Sequence, residues 1–519
     1  MNTLNDEEKF RKRRMEEISS SKCNYYPHKF VVSTTTDNFK QMYGECINGD
    51  ILKDTIENIA GRVQEIRKAS NKLYFITIMI EHTKIQIILN NNIYIKDFNT
   101  IKNIHRGDII GFSGHPGKSL NGEISLYCTK HEMLTPCLKY IPAELMLNSE
   151  GKLINGLQDD NDKIKKRYLD LIVNPQTNKI FRTKARIFKL IRNFLDDMDF
   201  VEVQTPIISN NANGAIAKPF TTKHMDLDQM MYLRIAPELY LKKLVIGGLH
   251  KVYEIGAQFR NETIDSTHNP EFYSLELYMA FVDYYDMMYI CEKLISKLVL
   301  DLHNSHKISY TKNNIIDNII NTVDNNIIID FTPPYKVINI VDTLEKMIGV
   351  KFPQDFNNNE TMKICLDICE KHKIICSEPR ILSRLFDKII GHFIEPLCVN
   401  PTFLINHPIF MSPLAKNHRN NKNLSERFEL FVNGFELANS YTELNDPKVQ
   451  LEIFNKQMEI KSDSESDEIP EPDHSYIEAL EYGLPPTCGF GLGLERLTMI
   501  LTNSNTIKDV ILFPGQKKY

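Results

Sequence analysis

Five short β-branched runs between Lys29 and Pro142, each broken by Gly, Asn or Asp, constrain what this chain can fold into. They are residues 61–66 (GRVQEI), 73–78 (LYFITI), 84–89 (KIQIIL), 108–112 (DIIGF) and 122–126 (GEISL). Short runs at this spacing read as the strands of a small closed barrel. A five-stranded barrel of the OB type fits them, and such barrels bind oligonucleotides on one sheet face through stacking aromatics and a few polar readers. A link containing Pro, Gly and Asn runs from Leu138 to Asp160, and beyond it the pattern changes. Ile187, Leu190, Ile191, Phe194, Leu195 and Met198 recur at three- and four-residue steps, marking one buried helix face. A strand over 200–205 (FVEVQT) follows, and Pro206 stops it. The stretch 461–473 (KSDSESDEIPEPD) is acidic, Ser-rich and apolar-poor, and reads as a mobile surface loop.

With 519 residues the chain holds about two to four domains. Its 42% hydrophobic and 25% charged residues exclude a disordered or collagen-like chain. The formal net charge of -5 announces no polyanion partner, so any nucleic-acid surface must be a local patch. One candidate is residues 9–14 (KFRKRR), an exposed arm or helix that is either solvated or grips a phosphate backbone. No run of about 18 apolar residues and no secretory signal is visible, so a cytoplasmic protein with no membrane partner is expected. Ten scattered cysteines without a CxxC pair indicate reduced thiols. Cys365, Cys369 and His372 share one helix face, where small buried side chains are the simpler reading than a metal site.

Three segments of the second half resist explanation by packing: 200–206 (FVEVQTP), 252–272 (VYEIGAQFRNETIDSTHNPEF) and 489–497 (GFGLGLERL). The middle one sets Arg260, Asn261, Glu262, His268, Asn269 and Glu271 between two apolar stretches, too much polarity for a plain hairpin. A loop aiming Arg and His at phosphate oxygens accounts for it better. In the third, glycines alternate with apolar residues, which permits close backbone approach to a ligand, and Arg496 adds a fixed positive charge.

Together, in this order and at these separations, the three segments resemble motifs one, two and three of class II aminoacyl-tRNA synthetases. MYLRIAPELY (231–240), HPIFMSPLAK (407–416), ERFELF (426–431), YTELNDP (441–447) and EYGLPPT (481–487) resemble, more narrowly, the subclass IIb lysyl-tRNA synthetase family of the eukaryotic cytoplasmic type. The resemblance runs from about residue 25 to the end. It implies an α+β architecture: a basic extension (1–28), an OB-fold anticodon-binding domain (29–142), a linker (143–160) and a class II catalytic domain (161–519), an antiparallel sheet flanked by helices. It further implies a homodimer formed partly through the first motif. The reaction implied activates L-lysine with ATP to lysyl-adenylate and transfers the lysyl group to the 3′ end of tRNA(Lys).

Carried over residue by residue, Arg260 would hold the ATP α-phosphate and the lysine carboxylate, and Glu262 would read the adenine amine. His268 and Asn269 would contact phosphates and base, Phe272 would stack on adenine, and Arg496 would reach the γ-phosphate, with Gly493 in the turn lining the pocket. Glu429 and Glu436 would bind Mg²⁺. The lysine positions are Gly214, Glu238, Glu276, Tyr278, Asn439, Tyr441 and Glu443, with Glu443 meeting the ε-ammonium and Glu238 and Glu276 the α-amino end. Arg67, Phe75 and Gln86 would read the anticodon, although Phe75 suits a barrel core equally well by pattern. The chain departs from the family pattern at Gln204, Cys488 and Phe490, none of them a charged reactant-binding position. An aspartyl- or asparaginyl-type synthetase should instead offer cationic or amide-reading groups at the pocket floor. A non-catalytic RNA-binding paralogue should lack Arg260, Arg496 or a metal glutamate, and all are present.

Overall fold

The computed structural model describes residues 6–21, 25–81, 83–143, 146–147, 153–154, 156–211, 214, 217–311, 314–316, 319–321, 326–353, 355–356, 358–377, 379–464 and 473–515. Two compact units divide the chain: residues 1–148 with 153–178, and residues 149–152 with 179–519. Much of the expected linker, and residues 465–472 of the acidic stretch, lie outside the described residues.

In the first unit, helices α1 (Asp6–Ser20) and α2 (Thr36–Tyr43) precede five strands: β1 (Glu57–Ser70), β2 (Leu73–Ile80), β3 (Thr83–Asn90), β4 (Ile109–Lys118) and β5 (Ile124–Thr135). They close into a barrel in the order β1-β2-β3-β5-β4, with β3 and β5 parallel, and the five β-branched runs fall on the five strands as expected. Tyr74, Ile76 and Ile78 of β2 point into the core, which Phe39 and Tyr43 of α2 also enter. Phe75 falls on the alternate, half-buried face, so it is not part of the barrel core.

The basic run lies on α1, but not all of it meets solvent. Arg14 is buried and forks onto Asp108, its Nη2 donating to both carboxylate oxygens at 2.8 and 3.0 Å. Asp108 also accepts the backbone N–H groups of His105 and Cys137. The helix is thus anchored to the barrel by a buried ion pair in which one guanidinium nitrogen meets both carboxylate oxygens, while Arg11, Lys12 and Arg13 remain exposed.

The second unit is built on one sheet of eight strands: β6 (Val201–Glu202), β7 (Lys251–Phe259), β8 (Glu271–Ala280), β9 (Lys336–Asn339), β10 (Thr402–Ile405), β11 (Arg427–Val432), β12 (Phe435–Thr442) and β13 (Thr487–Gly493). Their spatial order is β9-β10-β11-β12-β13-β8-β7-β6, antiparallel except at the two outer pairs. Helices α3 (Pro175–Asp196), α4 (Glu238–Ile246), α5 (Tyr284–His303), α6 (Ile340–Ile348), α7 (Asn359–His372), α8 (Leu382–Phe393), α9 (Pro447–Ser464), α10 (His474–Glu481) and α11 (Leu494–Thr502) surround it. Ile187, Ile191 and Leu195 of α3 and Leu294, Ile295 and Leu298 of α5 cover one sheet face, meeting Leu275, Leu277, Phe428, Leu430, Phe490 and Leu492. Since side chains alternate along a strand, residues 276, 278, 427, 429, 489 and 491 all face the other way.

Three expectations change. The strand expected over 200–205 is only two residues long: Val203 N–H still bonds the Tyr253 carbonyl at 2.9 Å, and beyond it Thr205 gives its N–H and hydroxyl to the Glu254 side chain at 3.1 and 2.7 Å rather than to a neighbouring strand. Residues 461–464, expected in a loop, continue α9. Cys365 and Cys369 join an apolar core formed by α6, α7 and α8, and His372 meets the ring of Phe393 edge-on at 4.9 Å, so that face is used for packing.

Candidate active site

The polar sheet face is laid out in cross-strand rows. In one, Tyr278 of β8, Gly489 of β13, Tyr441 of β12 and Arg427 of β11 lie side by side; in the next, Glu276, Gly491, Asn439 and Glu429 do so. In these rows the central strand therefore contributes only hydrogens while its neighbours contribute polar side chains. The result is a cavity of about 510 Å³ floored by glycine and walled by carboxylates, phenols and guanidinium groups. A Cβ on Gly489 would run into Glu443 Oε1 and the Tyr278 ring, and one on Gly491 would lie 3.2 Å from Glu276 Oε1. The close approach read from the sequence is thus explained by the floor: glycine leaves room for the acidic side chains beside it.

Three carboxylates gather at the closed end, Glu238, Glu276 and Glu443, the first and last being 5% and 1% exposed. Glu238 opens α4, and its Oε1 accepts hydrogen bonds from Lys242 Nζ one turn along at 2.6 Å and from the Tyr441 hydroxyl at 2.7 Å. Lys242 Nζ also ion-pairs with Glu443 Oε2. Glu443 Oε1, buried behind Gly489, finds no hydrogen-bond partner among the described residues. Burial drives the Glu276 carboxyl up to about 8, with Glu238 adding to it and Arg260 opposing. Burial likewise pushes Glu443 up, and the Lys242 ammonium pulls it back. The Tyr278 and Tyr441 hydroxyls are held well above the ordinary phenol range by burial and by Glu238, so both stay protonated donors.

The open end is basic. Strands β7 and β8 pair through nine residue rungs, and the loop between them carries Arg260, Glu262, His268 and Asn269. The Arg260 guanidinium lies 5.2 Å from the Phe272 ring centre, and its buried Nε has no hydrogen-bond partner among the described residues. Asp265 holds His268 Nδ1 at 2.9 Å, while Arg496 Nη2 stands 3.0 Å from His268 Nε2. Asn269 ties down the loop, donating to the Glu271 carbonyl and accepting from Gly515 N–H. Glu262 is exposed, Gly214 lies beside Ala236 and Glu238, and Gly493 caps α11 at the point where Arg496 enters the cavity. Every residue carried over for ATP and lysine except Glu429 and Glu443 lines this one cavity, and those two stand in or directly behind its rows.

Glu429 is bonded by Arg427 Nη2 at 2.5 Å and faces His407 Nε2 at 3.1 Å; burial works to raise its carboxyl, but the Arg427 guanidinium, with His407 beside it, holds it down to about 2, while burial itself disfavours the charged form of His407. Glu436, on the adjacent strand, is pushed up by burial and by Glu429, although Arg496 opposes it. Two neighbouring carboxylates whose negative charge is incompletely neutralised suit a hard divalent cation. No group of three or more metal-ligating side chains occurs among the described residues, so further ligands would have to be water or substrate oxygens.

In the barrel, Arg67 and Phe75 face each other across β1 and β2, and the guanidinium lies 4.7 Å from the ring centre. Gln86 is nearly buried, its Nε2 donating to Glu123 at 2.5 Å and its Oε1 accepting from Ser125 at 3.0 Å. Sequence reasoning missed Glu123, Lys242 and the buried Arg234–Glu254 pair beneath β7. Only Lys242 had a usable signal, its four-residue spacing from Glu238 on a helix.

The family described as "tRNA synthetases class II (D, K and N)" matches residues 159–517, and an "OB-fold nucleic acid binding domain" matches residues 58–134. A class II synthetase with an attached OB-fold is thus the kind of protein this architecture defines. Similar chains include the "Probable lysine–tRNA ligase, cytoplasmic" of Vairimorpha ceranae, 42% identical over 99% of this chain and 97% of that one. That of Encephalitozoon cuniculi is 40% identical over 95% and 94%, and the lysine–tRNA ligase of Wigglesworthia glossinidia brevipalpis 39% identical over 97% of each. The chain belongs to the lysine–tRNA ligase family of class II tRNA synthetases, a family that uses ATP as a substrate. No described helix is long and apolar enough to cross a membrane.

Proposed function

We propose that the cavity activates L-lysine with ATP and transfers the lysyl group to tRNA(Lys), with the residue roles carried over above. The observation that carries this is the buried, unpartnered Glu443 Oε1 at the closed end, beside the carboxylates of Glu238 and Glu276. A desolvated acceptor of this kind calls for a cation, and lysine brings one at each end of its stem. A pocket for aspartate would need surplus positive charge there, whereas Lys242 is already flanked by two glutamates.

Arg260 neutralises the lysine carboxylate and the ATP α-phosphate at once, bringing the reacting oxygen and phosphorus together. The carboxylate oxygen bonds to the α-phosphorus as the bond to pyrophosphate breaks. Phe272 supplies a stacking face for adenine and Arg496 draws on the γ-phosphate. The terminal ribose hydroxyl of the tRNA then displaces AMP from the carbonyl carbon. Catalysis rests on positioning and charge stabilisation, and no side chain serves as nucleophile. Glu429 and Glu436 would hold Mg²⁺, which when bound neutralises charge on the phosphate oxygens.

In the first unit, Arg67, Phe75 and Gln86 are the anticodon readers on this proposal. Phe75 offers an outward ring backed by Arg67, while Glu123 fixes the orientation of Gln86. The exposed apolar side chains of Val201 in the first motif and of Ile207 and Ile208 just after it support a homodimer, and the similarity to ligases named cytoplasmic supports action in the cytoplasm. Amino-acid-dependent ATP–pyrophosphate exchange across the twenty amino acids tests the assignment. Lysine should be the substrate that drives it, and exchange driven by aspartate or asparagine instead would overturn the reading.

A further inference from the structure

Among the described residues, Lys242 is the one charged group at the closed end that the reaction above does not use. It is fully buried on α4, with its ammonium enclosed by groups from three directions. Glu238 is on its own helix; Glu443 and Tyr441 come from the end of β12 and the residues after it; Tyr476 comes from α10. Glu276 and Tyr278 of β8 complete the surroundings of Glu443. Burying an ion pair contributes little to stability compared with an apolar side chain of the same shape, so a fully buried ammonium here calls for another explanation.

Charge balance supplies it. Three carboxylates in one desolvated pocket would take up protons and lose their charge. A single internal ammonium, bonded to two of them, leaves a net charge of two when all are ionised, which the two ammonium groups of lysine match. It meets Glu443 at Oε2, so Oε1, which lies against the cavity floor at Gly489, is the oxygen left for the substrate.

We propose that Lys242 is a specificity-determining positioning residue, which favours the charged form of Glu443 and holds one of its oxygens toward the distal ammonium, so that the pocket demands a cation there. This rests on the lysine reading of the site. A neutral side chain of equal length, such as norleucine, would leave Glu443 charged, buried and unpaired, and such a site rejects an analogue that lacks the polar group.

The test uses ATP–pyrophosphate exchange by the full chain, with Lys242→Met, Lys242→Gln and Lys242→Arg compared with the parent. Removing the ammonium raises the pH at which Glu443 loses its proton, so the acid limb of kcat/KM for lysine should move up by a unit or more. Since each unit is tenfold in the ionised fraction below the limb, kcat/KM at a pH below the parent's limb should fall by at least about tenfold and recover as pH is raised. The loss should lie in KM for lysine, with KM for ATP unchanged, and preference for lysine over norleucine should shrink. Gln keeps hydrogen bonding to both glutamates and provides a neutral variant if Met does not fold; Arg restores the charge and should return the limb toward that of the parent. Neutral variants that melt earlier with an unmoved limb and undiminished preference would reduce Lys242 to a packing element and overturn the proposal. A parent enzyme giving no lysine-dependent exchange would instead defeat the reading of the site itself.

Discussion

At the scale of single residues the site is a set of carboxylates in want of cations. Glu443→Gln keeps the shape and one acceptor but removes the charge proposed to face the ε-ammonium. Truncating one partner of a desolvated charge pair costs roughly 2–5 kcal/mol, so kcat/KM for lysine-dependent exchange should fall about 30- to 5,000-fold. ATP affinity measured without lysine should hold, because Arg260, Phe272 and Arg496 lie at the other end of the cavity. Glu276 gives a second expectation. Its carboxyl, held up to about 8 in the free site, is largely protonated at neutral pH and must ionise when the α-ammonium arrives. Lysine affinity should therefore rise with pH toward about 8, and binding near pH 7 should release close to one proton. Calorimetry in two buffers of different ionisation enthalpy reads this directly, and equal heats in both would remove Glu276 from the α-amino end.

At the scale of elements, two features decide function. The first is β13, whose alternate glycines form the cavity floor. Gly489→Ala would drive a methyl group against Glu443 and Tyr278, so lysine activation should be lost while ATP still raises the melting temperature; an active Ala variant would show that this row is not the amino-acid floor. The second is α1, where one arginine and its neighbours have different duties. Arg14→Ala leaves Asp108 buried without its cation and should destabilise the barrel by about 3–5 kcal/mol, measured by circular dichroism during urea unfolding. Replacing exposed Arg11, Lys12 and Arg13 by Glu should leave that stability alone. If the helix grips tRNA, the same triple change should weaken tRNA binding and flatten its salt dependence by roughly 0.9 log unit for each phosphate no longer neutralised. Deleting residues 1–20 would mix the two effects.

At the scale of the whole molecule, adenylate formation and tRNA recognition rest on different units, so they should separate by mutation. Phe75→Ala, on the outward face of β2, should weaken tRNA binding by about 1–3 kcal/mol while lysine-dependent exchange and the melting temperature stay as they were. A preserved affinity with an early melt would put Phe75 in the barrel core after all.

The barrel and the helix face of α3 were legible in sequence because each depends on local periodicity: short β-branched runs between breaks, and apolar residues every third or fourth position. The three motifs were legible for a different reason, since glycine alternation and a loop dense in Arg, His and Asn have no explanation in packing alone. What local pattern cannot carry is pairing between distant residues. That Arg14 meets Asp108, that Thr205 bonds the Glu254 side chain beyond Val201–Glu202, and that Glu123 holds Gln86 follow from which surfaces the sheet and barrel bring together. The closed end of the cavity shows the same division. Glu238 and Lys242 are one turn apart and could be paired from sequence, but Glu443 lies 201 positions beyond Lys242, and only strand order sets it there. Once there, burial makes every unpaired charge expensive, and this desolvation turns three ordinary glutamates and a lysine into a pocket with a charge requirement.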